Sequence, residues 1–87
     1  MNNREKETLL ELIKQMDKMN ISYSITKDRL IINHHIYSIE YIIDGVWHLN
    51  NNKKQKTMKG NRDFWSFWNL ALQLIRNNYL ALDIFFE

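Results

Sequence analysis

Five cations crowd one short stretch of the chain: Lys53, Lys54, Lys56, Lys59 and Arg62, with no acidic residue among them. Side chains of this type at this density neutralise phosphates on a nucleic-acid backbone, or pair with an acidic protein surface. The segments before and after the stretch are close to neutral or slightly acidic, so the formal net charge of +2 is local rather than spread. No aromatic residue interleaves the five cations. Base stacking is therefore not expected there, and contact with a phosphate backbone is. The plain alternative is a solvated loop that keeps the chain in solution.

The remaining searches for reactive groups are negative. Successive strand residues point to opposite faces, so His34 and His35 cannot share one ion without a bend, and His48 stands alone. No pattern of His, Asp and Glu occurs at metal-ligand spacing, and no metal is expected. None of Ser22, Ser24, Ser38 and Ser66 lies in a nucleophile-elbow motif, and two isolated glycines cannot build a phosphate-cradling loop. The absence of cysteine excludes disulfides, thiolate metal sites and a thiol nucleophile. Glu40 and Asp44 could approach one another at a hairpin end, but two carboxylates alone define no reaction. The chain reads as non-enzymatic and without a cofactor.

The aromatic residues are the second local excess. Phe64, Trp65, Phe67 and Trp68 fall so close together on one helix that they subtend most of a turn, and they cannot all face one core. Aromatic side chains are enriched in the energetic centres of protein interfaces. Trp47, Trp65, Trp68, Phe85 and Phe86 are the expected aromatic docking surface, for a protein partner or for a second copy of the chain.

The elements that must hold these groups can be read from periodicity. Leu9, Leu12, Ile13 and Met16 form one apolar stripe of a helix. Asn2 caps its start, with Glu5 three residues on, and Asn20 suits its end. From Ile21 the period becomes two, with Tyr23 and Ile25 alternating with serine and threonine. Lys27-Asp28 reads as a two-residue turn, and Arg29–Asn33 as the next strand. A further strand runs from about Ile36 to Ile43. Whether these last two are separate or one bent strand depends on Asn33-His34-His35. Asp44-Gly45 predicts a two-residue hairpin that sets Ile43 opposite Val46 and Ile42 opposite Trp47. Trp47 and Leu49 would then share a face with Ile36 and Ile42, and Tyr37, Ile39 and Tyr41 would lie on the other. Residues 50–61 read as a polar loop. Asn61 is the expected cap of a second helix, with Asp63 in its first turn. Tyr79 to Glu87 could be a helix or a strand.

With 87 residues, the chain fits one domain, residues 1–87. Its hydrophobic fraction of 45% argues against disorder. The longest apolar runs fall short of the roughly 18 residues that span a bilayer, so no membrane is expected. Met1 to Glu7 is charged and no apolar stretch follows, so no signal peptide is expected either. The expected fold is α+β: an N-terminal helix, an antiparallel sheet of three to four strands and a C-terminal helix, with the helices packed on one face.

That order, with Lys53 to Arg62 just before the last helix, resembles double-stranded RNA-binding domains, although the family's Gly-Pro-x-His loop is missing here. The chain also resembles small phage-encoded anti-CRISPR proteins in size, layout and cysteine-free composition. Its excess of Ile, Asn and Lys over Ala suits an AT-rich bacterial host or its phage. This second resemblance implies an inhibitor acting in the cytoplasm of a bacterial host, on a host protein or nucleoprotein defence machine. Direct nucleic-acid binding through residues 53–62 is the alternative.

Overall fold

A computed structural model describes residues 1–87. Helix α1 spans Asn3–Lys18 and is opened by the expected capping box. The Asn2 side chain accepts from the Glu5 N–H at 2.8 Å, and Glu5 reaches back to the Asn2 N–H. The helix ends where Asn20 takes a left-handed φ of 56°. Ile21 N–H then donates to Met16 O and Asn20 N–H to Asp17 O, which satisfies two carbonyls of the last turn.

Five strands follow: β1 Ser22–Ile25, β2 Arg29–His34, β3 Tyr37–Ile42, β4 Trp47–Asn51 and β5 Lys56–Lys59. They pair as an antiparallel meander in sequence order. Lys27-Asp28 is the two-residue connection expected, with Thr26 N–H donating to Arg29 O. The stretch that was ambiguous in sequence is a second tight turn. His34 pairs with Tyr37, and His35 adopts a φ of 57° between them.

The sheet has one strand more than the three to four expected. β5 lies inside the segment that reads as a polar loop. Its only apolar side chain is Met58, so no alternation announces it. Backbone pairing to β4 and a turn anchored by Asn51 produce it instead: buried Asn51 accepts from the Lys54 N–H at 3.0 Å.

The β3–β4 connection differs from the two-residue hairpin expected. It contains three residues, Ile43, Asp44 and Gly45. Ile42 N–H donates to Val46 O, and Gly45 N–H to Ile42 O at 2.7 Å. Asp44, not Gly45, takes the positive φ, at 59°. Tyr41 therefore pairs with Trp47, and Glu40 with His48. This one-residue slip exchanges the faces of β4 relative to β3. Trp47 and Leu49 join Tyr37, Ile39 and Tyr41 on the inner face, and the mixed apolar faces of the expected register disappear.

Helix α2, Phe64–Ile75, packs across that inner face. Its cap is Asp63, which accepts from the Trp65 N–H at 3.1 Å; Asn61 lies before the helix and does not cap it. Asn77 ends α2 in a left-handed conformation with a φ of 60°. Asn78 N–H donates to Gln73 O and Asn77 N–H to Leu74 O, the same closing pattern as in α1. Tyr79–Asp83 forms a short helix, α3, and Ile84–Phe86 a 3-10 turn, which resolves the last segment as helical.

Leu9, Leu12 and Met16 of α1, Phe67, Ala71 and Leu74 of α2, Leu82 of α3 and the inner sheet residues belong to one core cluster. Tyr41 stacks on Phe67 with ring centroids 4.3 Å apart. Each large apolar side chain buried this way contributes about 1.5–3 kcal/mol. The sheet's outer face bears rows of mostly polar residues, one of them Ser24, Ile31, Glu40, His48 and Lys59. No helix is long and apolar enough to cross a membrane.

Candidate functional site

The β4–β5 hairpin gathers four of the five expected cations. Lys53 and Lys54 occupy its turn, residues 52–55, where Gln55 takes the left-handed conformation that returns the chain into β5. Lys56 and Lys59 lie on β5 itself, at the sheet edge. Alternation puts Lys56 on the helix side and Lys59 on the outer side. All four are exposed, and none lies within ion-pair distance of a carboxylate. The hairpin is thus an edge ribbon whose cations remain available. Lysines on an edge strand also oppose sheet-to-sheet aggregation, a structural benefit that needs no ligand.

Arg62 does not join them. It lines a cavity of about 230 Å³ at the opposite end of the strands, beside Glu5, Asp44 and Asp63. None of the three carboxylates lies within ion-pair distance of Arg62, so what separates it from the lysines is its position.

The expected aromatic surface is divided. Trp47 is 5% exposed and Phe86 7%, so both are core residues and neither presents an exposed ring for docking, although Trp47 lines a groove described below. The register slip accounts for Trp47, and the turn of Ile84–Phe86 against β5 accounts for Phe86. Trp65 and Trp68 are half-buried on the flank of α2 that faces α1, in edge contact with ring centroids 5.7 Å apart. The Arg4 guanidinium lies 5.3 Å from the Trp65 ring centroid, a cation–π contact between helices. Phe85 is 42% exposed and sits on the other flank of α2. The crowding of aromatics on α2 is therefore relieved mainly by α1.

The histidines serve local packing. His35 stacks on Tyr79 at 4.9 Å, and His34 Nε2 lies 3.1 Å from Asn77 Oδ1, which also accepts from the Tyr79 hydroxyl. Together they fasten the β2–β3 turn to the α2–α3 junction. His48 Nδ1 is 3.7 Å from Glu40 Oε1, and Arg29 Nη1 donates to Glu40 Oε2 at 3.3 Å. The Asp28 carboxyl is held below its usual range, chiefly by the hydrogen bond from Arg29. No three His, Asp, Glu or Cys side chains cluster in a way that could hold a metal ion.

Sequence reasoning missed one feature. A groove of about 540 Å³ opens between β5, α2 and α3. Trp47, Leu70 and Phe85 give it apolar walls, and Ser66, Asn69 and Gln73 line it with hydroxyl and amide groups. Ser66, Asn69 and Gln73 follow one another at three- and four-residue spacing and so form a single polar stripe of α2 along this groove. Comparison with known proteins finds no matching family model, no matching curated protein and no matching solved structure.

Proposed function

We propose that this chain is a non-enzymatic binding protein whose β4–β5 hairpin holds the phosphate backbone of a nucleic acid. One observation carries the reading: Lys53, Lys54, Lys56 and Lys59 lie together on an exposed edge ribbon with no carboxylate pairing any of them. Cations left unpaired in this way bring counterion release with them when they meet a polyanion. The nucleic acid fits the phage-type reading if it belongs to a nucleoprotein machine in the cytoplasm of a bacterial host. The test is an equilibrium titration of the protein against a labelled oligonucleotide at low salt, with the Lys53, Lys54, Lys56 and Lys59 to Ala variant alongside. Binding by the parent and its loss in the variant supports the reading. Equal binding by both proteins, or none by either, rejects it.

A second reading keeps inhibition of a host protein, with docking moved from the tryptophans to the C-terminal segment. Leu80 is 71% exposed and Ile84 61%, four residues apart on one side of the last helical turns. A patch of this kind also suits self-association into a homodimer. Leu80→Ser with Ile84→Ser abolishes such docking or dimerisation and leaves hairpin binding intact. Sedimentation of parent and variant, with and without nuclease-treated host lysate, separates these outcomes.

A further inference from the structure

We infer that the strand held by the hairpin is single-stranded, and that one of its bases is stacked on Phe85 and read in the groove beside α2. The inference rests on the phosphate-binding reading above and names the ligand that fits it. Along the sequence, the basic stretch contains no aromatic residue. The fold supplies one. Phe85 lines a shallow cavity together with Lys56, Lys59 and the acidic Glu87, which pairs with neither lysine, and it also lines the neighbouring groove, again with Lys59. An exposed ring beside an edge strand that carries Lys56 on the helix side and Lys59 on the outer side is the combination that binds single strands: cations follow the backbone and a π-face takes a base.

The groove supplies what an edge of that base needs. Its lining includes the amides of Asn61, Asn69 and Gln73 and the hydroxyl of Ser66. The Ser66 hydroxyl already donates to Asp63, and Gln73 Oε1 already accepts from Asn78. This leaves the Asn61 and Asn69 amides and the Gln73 NH2 as the free groups for a Watson–Crick edge, which a paired base in a duplex does not present. Trp47 also forms part of the wall, and its buried Nε1–H has no hydrogen-bond partner in the protein. A volume of about 540 Å³ lies within the range of small-molecule sites and accommodates a nucleobase. Phosphate on Lys56 and Lys59, base on Phe85 and base edge on the α2 amides together give one continuous track.

The experiment compares oligoadenylate of about 15 nucleotides, in deoxy and ribo forms, with the corresponding duplex. The single strand is expected to bind more tightly than the duplex. Phe85→Ala is expected to weaken single-strand binding about tenfold and to leave duplex binding unchanged. Phe85→Trp restores stacking and is expected to retain affinity, which separates loss of stacking from loss of fold. In a 15N spectrum the Trp47 indole N–H resonance should shift on adding the single strand. The Trp65 resonance, on the other flank of α2, should not. Equal affinity for single strand and duplex, or an unchanged affinity in Phe85→Ala, overturns the inference while the lysine-dependent binding remains. Failure of every oligonucleotide to bind overturns both readings.

Discussion

Gly60 lies against the indole of Trp47, and its N–H donates to the Trp47 carbonyl at 2.8 Å. A β-carbon at position 60 would come within 3.0 Å of Cε2, Cζ2 and Cδ2 of the ring. The requirement is steric, since Gly60 does not adopt a positive φ. The pair closes the sheet beyond β5 and directs the chain towards α2. Gly60→Ala is expected to destabilise the fold by about 1–3 kcal/mol, the range for overpacking a filled site. Denaturant unfolding of parent and variant measures the difference; equal stability would mean that Trp47 moves aside without cost.

Asn51 is the polar residue on which the basic turn depends. It is almost fully buried, and its Oδ1 accepts the Lys54 N–H. Replacing it with alanine removes that acceptor, and the expected cost is about 1–2 kcal/mol. The loss should be local. Hydrogen exchange at the Lys54 amide is expected to accelerate far more than at Leu49 or Ile39 in the core strands. Uniform acceleration would instead mark a global effect.

How far the sequence reveals this molecule depends on what specifies each element. α1 is legible to its caps, because Asn2, Glu5 and Asn20 act on their own neighbours. The α+β class follows from the change of period at Ile21, whereas the inner face of β3 does not, because both of its faces carry apolar residues. β5 is not legible, because Lys56-Thr57-Met58-Lys59 is held by backbone pairing and by Asn51, not by an apolar pattern. The register of β4 hinges on one residue: Asp44 takes the positive φ in place of Gly45, and the face of Trp47 changes with it. The lysines are visible in the sequence, but their separation from Arg62 is not. Nor is Phe85 beside Lys56 and Lys59, since that contact depends on how the last turn returns to β5.

The pH dependence of stability has two limbs. The Tyr41 hydroxyl titrates above its usual value of 10.0 because of burial, and Tyr23 does so chiefly because it donates to Asp17. A folded value above the unfolded one means that the folded state holds the proton more tightly. The contribution is complete below about pH 10 and is lost as the pH rises through the folded values. Asp28 is shifted in the opposite direction, so its contribution is present above the unfolded value of 3.8 and is lost as the pH falls through the folded one. Thermal unfolding between about pH 2 and 11 should show both declines. Asp28→Asn should flatten the acid limb, and Tyr41→Phe should reduce the alkaline one. An alkaline limb identical in Tyr41→Phe would contradict its assignment.

Arg62 provides an internal control for the hairpin. It lies by the β3–β4 turn, at the opposite end of the strands from Lys53 and Lys54, so its removal should leave oligonucleotide affinity nearly unchanged. Lys53→Ala or Lys59→Ala should each reduce affinity in a salt-dependent manner. An effect of Arg62→Ala equal to that of a lysine variant would place Arg62 on the same surface.

The salt dependence of oligonucleotide binding tests the phosphate-contact role of the hairpin most directly. With four lysine contacts, a plot of log K against log salt should have a slope of about −3 for a single strand, and each Lys→Ala variant should reduce its magnitude by about 0.7. A slope near zero, or one unaffected by removing the four lysines, would contradict that role.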